Sequence, residues 1–220
     1  MAIDDALAHA ESIVNVGAGA GSYEPKNKSV VAVEISNTML RQRPAGGAPT
    51  VQADAMALPF QADAFDASMA ILTVHHWPDR RRGLTELRRV TRGPVVILTR
   101  DPTYPGFWLT DYIPEVLDAD RSIFPDIGEY ADVLGSTEVK KVPIPYNCTD
   151  GFMCAYWRRP EAYLDERVRS AISTFSKLPD IRSGLEQLKH DLQSGSWQSR
   201  YGDLLDQNQL DMGYRLVVGT

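Results

Sequence analysis

Small and acidic residues follow three successive apolar runs near the start of the chain. The first run ends in alternate glycines (the glycine turn, residues 17–21), the second in a glutamate, and the third in an aspartate followed by alanine. These residues are Gly17, Gly19, Gly21, Glu34, Asp54 and Ala55. Glycines let a backbone approach a polar head group closely, and a carboxylate after a second strand can accept both hydroxyl groups of a ribose. An aspartate beside a small residue can accept from the amino group of adenine while a backbone N–H meets a ring nitrogen. The pattern predicts a site for an adenosine-containing ligand.

Short apolar strands that alternate with helices are the elements that must position these residues. Strands are predicted at 12–16, 30–34, 50–53, 65–72, 95–98, 137–144 and 214–218, and helices at 3–11, 36–41, 79–91, 127–134, 160–175 and 185–192. Strands that are apolar throughout are expected where both faces of a sheet are covered. The alternation favours an α/β fold with a doubly wound, mostly parallel sheet. Because the carboxyl ends of parallel strands lie at one edge of such a sheet, the three groups can face one ligand.

The spacing of the glycines separates two kinds of adenosine-containing ligand. The dinucleotide fingerprint G-x-G-x-x-G would need a glycine at position 22, where this chain has Ser22. The form present is G-x-G-x-G, with an acid, Glu34, 17 positions after Gly17. This form resembles the S-adenosylmethionine site of class I methyltransferases. The runs VNVGAGAG, VVAVEIS, QADAMALPF, FDASMAILTVHHWPD and LTELRRVTRGPVVILT occur in order over residues 12–101, and they resemble the motifs of the ubiquinone-biosynthesis-type group, methyltransferase type 11.

The resemblance implies a Rossmann-like methyltransferase fold with a seven-stranded sheet. It implies S-adenosyl-L-methionine as the cofactor and S-adenosyl-L-homocysteine as its product. The glycine turn would hold the methionine part, Glu34 would bind the ribose, and Ile35 would pack against adenine. Asp54 and Ala55 would contact the adenine edge, and Leu72 would line the floor near the sulfonium.

Two departures from the family pattern bear on cofactor binding. Asn15, in the first strand, stands where many members have an acid, so a charge that helps to bind the ammonium end is absent. Asn15 can still accept a hydrogen bond and is kept among the predicted cofactor contacts. The chain also begins about a dozen residues before the first strand. Many relatives have an extra helix or more upstream that covers the cofactor and substrate, so we expect a more open site, a trimmed sequence, or cover supplied from elsewhere, such as by a partner subunit.

Catalysis and substrate binding are predicted from residues that leave the ligand edge. His75 and His76 directly follow the fourth strand, and either could accept a proton from a hydroxyl or amine during methyl transfer; the alternative is that the pair only shapes its loop. Two aromatic-rich segments, 101–127 and 146–206, are expected to be helical insertions that cap the substrate within one domain, 1–220. Candidate substrate contacts within them are Tyr104, Phe107, Trp108 and Tyr146. Their composition favours a small aromatic or heterocyclic molecule with an O or N nucleophile.

Composition excludes several other classes of function. The formal net charge of the 220 residues is −6, which gives no general attraction to nucleic acid or anionic membranes. The arginines of residues 80–92 are expected to form a solvated helix face. The two cysteines lack zinc-like spacing, so no metal is predicted. Without a signal segment or an apolar run long enough to span a membrane, the expectation is a cytoplasmic monomer or homodimer.

Three alternatives to a methyltransferase remain open at this point. The first is a relative of the fold that binds the same cofactor and catalyses a non-methyl reaction, such as a cyclisation. The second is a binding or regulatory protein without catalysis, which the substitution at Asn15 keeps in view. A nicotinamide-dependent oxidoreductase comes last because of the glycine spacing.

Overall fold

The computed structural model describes residues 2–220, which divide into two compact units. Unit 1 contains the described residues up to Asp101 together with Pro125–Lys141 and Arg215–Thr220, and unit 2 contains Pro102–Phe124 and Val142–Tyr214. The strands are β1 (Ser12–Val16), β2 (Ser29–Val33), β3 (Thr50–Val51), β4 (Ala67–Ile71), β5 (Val95–Arg100), β6 (Thr137–Lys141), β7 (Ile144–Pro145), β8 (Gln209–Leu210) and β9 (Tyr214–Gly219). The α-helices are α1 (Ala2–Ala6), α2 (Asn37–Arg41), α3 (Arg80–Val90), α4 (Glu115–Ile123), α5 (Ile127–Leu134), α6 (Glu166–Ala171), α7 (Arg182–Ser194) and α8 (Ser196–Tyr201). Short 3-10 helices occur at Val74–His76, Trp108–Asp111, Met153–Tyr156, Pro160–Leu164, Phe175–Lys177 and Gly202–Asp206.

The main sheet has seven strands in the described chain, in the order β3-β2-β1-β4-β5-β9-β6. β1 pairs in parallel with β2 and β4, β2 with β3, and β4 with β5, whereas β6 and β9 are antiparallel. The predicted doubly wound, mostly parallel architecture is therefore confirmed. The register pairs Val16 with Val33. The residues that follow them, Gly17 and Glu34, consequently leave the sheet side by side.

The core of unit 1 explains why these runs form buried strands. The side chains of β4 and β5 are buried along their whole length, as expected for strands covered on both faces. α3 begins after Asp79, whose carboxylate accepts from the N–H of Arg82, and buries its apolar face on the core. From α5, Tyr130 donates a hydrogen bond of 3.0 Å to Thr99 of β5. Burial raises the pKa of Tyr130 to about 12, so this hydroxyl stays a donor at neutral pH.

Local differences from the predicted elements have identifiable causes. Residues 17–28 form turns with no helix between β1 and β2, in line with the predicted glycine turn, and the chain leaves β1 in a left-handed conformation at Gly17 (φ 70°). The third strand has only two residues, Thr50–Val51, instead of four. The strand predicted over 137–144 ends at Lys141. Pro143 follows, and the next two residues pair instead with β8.

Unit 2 is built around aromatic side chains. Trp108 packs edge-on against Trp197 and Tyr163, with ring centroids 5.3 and 5.4 Å apart. Its indole N–H donates to the carbonyl oxygen of Trp157 at 2.7 Å. Such offset aromatic contacts add to the stabilisation that burial alone supplies. The helix predicted over 160–175 is broken into the 3-10 helix Pro160–Leu164 and α6, whereas the one predicted over 185–192 lies within α7. The capping roles of 101–127 and 146–206 stay predictions.

Candidate functional site

A cavity of about 580 Å³ lies in unit 1 where β1, β2, β3 and β4 end. Its size is within the range of sites that hold a small organic ligand or cofactor. The wall is formed by the last residues of β1 and β4, the segments that follow the four strands, and part of α2: Val16, Gly17, Ala18, Gly19, Ala20, Ser22, Tyr23, Glu34, Ile35, Met39, Ala53, Asp54, Ala55, Met56, Ile71, Leu72, Thr73, His76, Trp77 and Pro78. Most of the residues predicted to bind the cofactor are thus brought to one cavity.

Most N–H groups of the glycine turn donate to other groups of the protein. The N–H groups of Gly17 and Ala18 donate to the carbonyl oxygen of Val33 at 2.8 and 3.0 Å, and that of Gly21 donates to Ala18. In contrast, the N–H groups of two residues in the wall, Ala20 and Ser22, donate to no described residue and are available to a ligand. Gly17 also permits a close approach, because a Cβ there would lie 2.0 Å from Thr73 Oγ1. The predicted cofactor contacts of Gly17, Gly19 and Gly21 are not tested by this geometry and stay predictions.

Glu34 is held in place by backbone donors from both sides. Its Oε2 accepts from the N–H of Gly19, and its Oε1 accepts from the N–H of Ser36, each at 2.8 Å. The residue is only 8% exposed, yet it forms part of the cavity wall. Each carboxylate oxygen keeps a further lone pair. The geometry therefore suits acceptance from vicinal hydroxyl groups, and the neighbouring Ile35 offers an apolar surface that is 61% exposed.

Asp54 and Ala55 present an acceptor beside a donor. The Oδ1 atom of Asp54 accepts from the N–H of Met56 at 2.9 Å, which fixes the side chain in a tight turn. Within residues 2–220, Asp54 Oδ2 accepts no hydrogen bond and the N–H of Ala55 donates none. An acceptor next to a donor complements the amino group and adjacent ring nitrogen of adenine.

α3 holds the segment that follows Asp54. Arg89 donates to the carbonyl oxygens of Phe60 and Leu58 at 2.8 and 3.0 Å, and Glu86 accepts from the N–H of Leu58 at 2.8 Å. The two side chains also pair with each other at 2.6 Å, and the hydrogen bond from Arg89 lowers the pKa of Glu86. Part of the helix face that was expected to be solvated thus positions a wall of the cavity. Sequence reasoning missed both residues as supports of the site.

The end of β4 has an uncommon backbone conformation. Leu72 has a φ of 53°, in the left-handed region that branched residues seldom adopt. Its N–H donates to the carbonyl oxygen of Leu98 at 2.9 Å, which anchors the turn to the neighbouring strand. Leu72 and Thr73 both lie in the wall. Strained residues of this kind cluster at ligand sites.

The two histidines occupy different positions. Both belong to the 3-10 helix Val74–His76, and their rings lie 4.0 Å apart between centroids. His76 is exposed and forms part of the cavity wall, whereas His75 is half-buried and is absent from the described wall. Of the two candidates for a general base, His76 is the one at the cavity. The role itself stays a prediction.

Asn15 is engaged within the protein. It is 3% exposed, and its Nδ2 donates to Glu24 Oε1 at 3.2 Å. Glu24 in turn forms a buried ion pair with Arg43, whose Nη2 lies 2.7 and 2.6 Å from its carboxylate oxygens. Arg43 also donates to the carbonyl oxygen of Gly19 at 3.1 Å. This network braces the glycine turn from outside the described cavity wall, and contact of Asn15 with a cofactor stays a prediction. No sequence signal identified Glu24 or Arg43.

The four predicted substrate contacts belong to unit 2. Trp108 is 4% exposed and part of the aromatic core, and Phe107 packs against its ring at 5.6 Å. Tyr104 donates to the carbonyl oxygen of Asp211 at 2.5 Å. Tyr146 is 43% exposed. Their contact with a substrate stays a prediction.

Comparison with known proteins identifies the family of this chain. A family model described as a methyltransferase domain matches residues 14–97. A crystal structure from Anabaena variabilis ATCC 29413, provisionally described as a methyltransferase from an antibiotic biosynthesis pathway, is 30% identical. The match covers 100% of this chain and 95% of that one, with a TM-score of 0.90. The chain belongs to the class I S-adenosylmethionine-dependent methyltransferase family. The predicted resemblance to these methyltransferases is confirmed.

Two further methyltransferases share part of the sequence or the fold. The 2-methyl-6-phytyl-1,4-hydroquinone methyltransferase 1 of Oryza sativa subsp. japonica, a chloroplastic protein, is 30% identical over 145 residues, 59% of this chain and 43% of the rice protein. The chain thus spans less than half the length of this curated relative. An S-adenosylmethionine-dependent methyltransferase from Thermotoga maritima has 14% identity and a TM-score of 0.55 over 96% of this chain and 82% of its own, a likeness of fold alone.

Residues 2–220 contain no group of three or more His, Cys, Asp or Glu side chains placed to hold a metal ion. Within the same residues, no helix combines the length and apolar character needed to cross a membrane.

Proposed function

We propose that unit 1 binds S-adenosyl-L-methionine and that the protein transfers its methyl group to a small aromatic molecule. The observation that carries this proposal is the agreement between the hydrogen-bonding groups of one cavity and the parts of an adenosyl group. Glu34 offers acceptors for ribose hydroxyls, and Asp54 with Ala55 offers an acceptor beside a donor for adenine. Ile35 supplies an exposed apolar surface next to them.

The residues that are present fit this cofactor. The cavity volume of about 580 Å³ suits a ligand of its size. Polar groups in the wall that have no protein partner, such as Asp54 Oδ2 and the N–H of Ala55, are available to a polar ligand. When bound, the cofactor supplies an electrophilic methyl group on a sulfonium. The chain holds its ribose through Glu34 and its adenine through Asp54 and Ala55, with the N–H groups of Ala20 and Ser22 available to its polar end.

The protein contributes to the reaction mainly by alignment and by accepting a proton. Fixing two reactants in line removes much of the entropic barrier to a displacement reaction. A hydroxyl or protonated amine must also lose a proton, and an imidazole titrates in the required range. His76 is the imidazole at the cavity wall, and we assign this proton to it.

The acceptor that we propose is a small aromatic or heterocyclic molecule with an O or N nucleophile. The name of the rice relative, a hydroquinone methyltransferase, supports a hydroquinone as the first compound to test. A deprotonated hydroquinone is nucleophilic at oxygen and at the ring carbon beside it. Identifying the methylated atom in the product therefore tests the O or N assignment directly.

The test is a turnover assay with purified protein, S-adenosyl-L-methionine and a panel of hydroquinones, phenols and heteroaromatic amines. We expect S-adenosyl-L-homocysteine to form only when an acceptor is present, together with a product heavier by one methylene unit. A reaction that leaves the cofactor unconsumed would contradict methyl transfer and favour a non-methyl reaction. Reactions without acceptor, and with the Glu34→Ala variant, serve as controls.

A further inference from the structure

One hydroxyl in the cavity wall, that of Thr73, has no hydrogen-bond partner among residues 2–220. Thr73 is 9% exposed, and its side chain neither donates to nor accepts from any described residue. The residue as a whole is mostly buried, but its Oγ1 atom is accessible from the cavity. Because Thr73 lies in the cavity wall, a ligand can supply the missing partner.

The ends of β4 and β1 bring the Thr73 hydroxyl against the glycine turn. Leu72 adopts its left-handed conformation directly before Thr73, at the end of β4. Oγ1 of Thr73 then sits so close to Gly17 that a Cβ on Gly17 would lie 2.0 Å from it. The hydroxyl therefore faces the part of the wall that the glycine turn forms.

This part of the wall lacks an available carboxylate. Asn15 carries an amide instead of an acid, and its Nδ2 donates to Glu24. The carboxylate of Glu24 is paired through both oxygens with Arg43. An ammonium group bound near the glycine turn would need an acceptor, and a hydroxyl oxygen provides lone pairs for that purpose.

We infer that Thr73 is a cofactor-binding residue whose Oγ1 accepts a hydrogen bond from the ammonium group at the methionine end. The inference rests on the proposed function, because it requires the adenosyl cofactor to occupy this cavity. On this inference, a residue at the end of β4 recognises the ammonium group of the cofactor, a role that an acid in β1 would otherwise have.

The test compares binding of S-adenosyl-L-homocysteine with binding of its analogue that lacks the amino group. Titration calorimetry is carried out on the wild type, Thr73→Val, Thr73→Ser and the control Thr50→Val, which changes an exposed threonine of β3. We expect Thr73→Val to weaken binding of S-adenosyl-L-homocysteine by about tenfold or more, the effect of losing a hydrogen bond to a charged group. Binding of the deaminated analogue should change less than about twofold. Thr73→Ser and Thr50→Val should remain close to the wild type.

Several outcomes would overturn the inference. One is unchanged binding of S-adenosyl-L-homocysteine by Thr73→Val, and another is an equal loss for both ligands, which would indicate a structural role. Thermal unfolding of each variant checks that it is folded. If Thr73→Val does not fold, Thr73→Ala is used in its place and is compared with Thr73→Ser. Failure of the wild type to bind S-adenosyl-L-homocysteine would instead refute the proposed function, so the two failures are distinguishable.

Discussion

Replacing Glu34 by alanine removes the contact on which the ribose assignment depends. The carboxylate accepts two backbone N–H groups, from Gly19 and Ser36, and keeps lone pairs for two ribose hydroxyls. A hydrogen bond to a charged group contributes about 1.5–3 kcal/mol. Loss of this interaction should therefore weaken binding of S-adenosyl-L-homocysteine by about 10- to 150-fold, which titration calorimetry can measure.

The same substitution affects stability through the two backbone groups. Their N–H donors lose an acceptor at a residue that is 8% exposed, so the free energy of unfolding should fall by about 1–3 kcal/mol. Glu138→Ala is the matched control, because it removes the same charge from exposed β6 and should change neither quantity by more than about 0.5 kcal/mol. Retention of wild-type affinity by folded Glu34→Ala would refute the assignment of ribose to the end of β2.

Four further substitutions probe other parts of the structure. Arg43→Met leaves the buried carboxylate of Glu24 without its counter-ion, so the free energy of unfolding measured with denaturant should fall by about 3–5 kcal/mol. A loss below about 1 kcal/mol would contradict a buried ion pair. Gly17→Ala places a Cβ in the left-handed region and against the Thr73 hydroxyl, so it should lower the free energy of unfolding by about 3 kcal/mol. The control Gly46→Ala has a φ of 80° but no neighbouring atom within 4 Å, and it should cost only about 1 kcal/mol. Equal losses would exclude the close approach at Gly17. A hydrogen bond from Arg92 is the main reason that the pKa of Asp66 lies far below its usual value. The ionised carboxylate therefore stabilises the fold fully above about pH 4, and this stabilisation is lost as the pH falls. Asp66→Asn should flatten the decline of the unfolding free energy at acid pH, and an unchanged slope would contradict this role of Asp66. His76→Asn should lower kcat by about 10²- to 10⁴-fold with little change in cofactor affinity, and an unaffected kcat would remove it as the base.

The strand ends that form the site could be predicted because simple local rules govern them. Apolar runs identified β1, β2 and β4, and the parallel arrangement then placed Glu34 and Asp54 at one edge of the sheet. The glycine turn after β1 was also expected, but the left-handed backbone that begins at Gly17 was not. The sequence shows the glycines but does not show which sign of φ each adopts.

The contacts that support the site could not be predicted from local patterns. Glu24 and Arg43 are 19 positions apart and lie in irregular segments, so no periodicity relates them. Arg89 has the appearance of a solvated helix residue, yet its guanidinium binds carbonyl groups 29 and 31 positions away. Thr73 is distinguished by its place in the cavity wall and its close approach to Gly17, which a sequence does not reveal.

The central claim is that the cavity of unit 1 is a site for S-adenosyl-L-methionine. Titration calorimetry of the wild-type protein with S-adenosyl-L-methionine and S-adenosyl-L-homocysteine tests it most directly, with a nicotinamide dinucleotide as the comparison ligand. The account predicts saturable binding of both adenosyl compounds with one site per chain, and no binding of the dinucleotide. Absence of binding by both adenosyl compounds at millimolar concentration would contradict it.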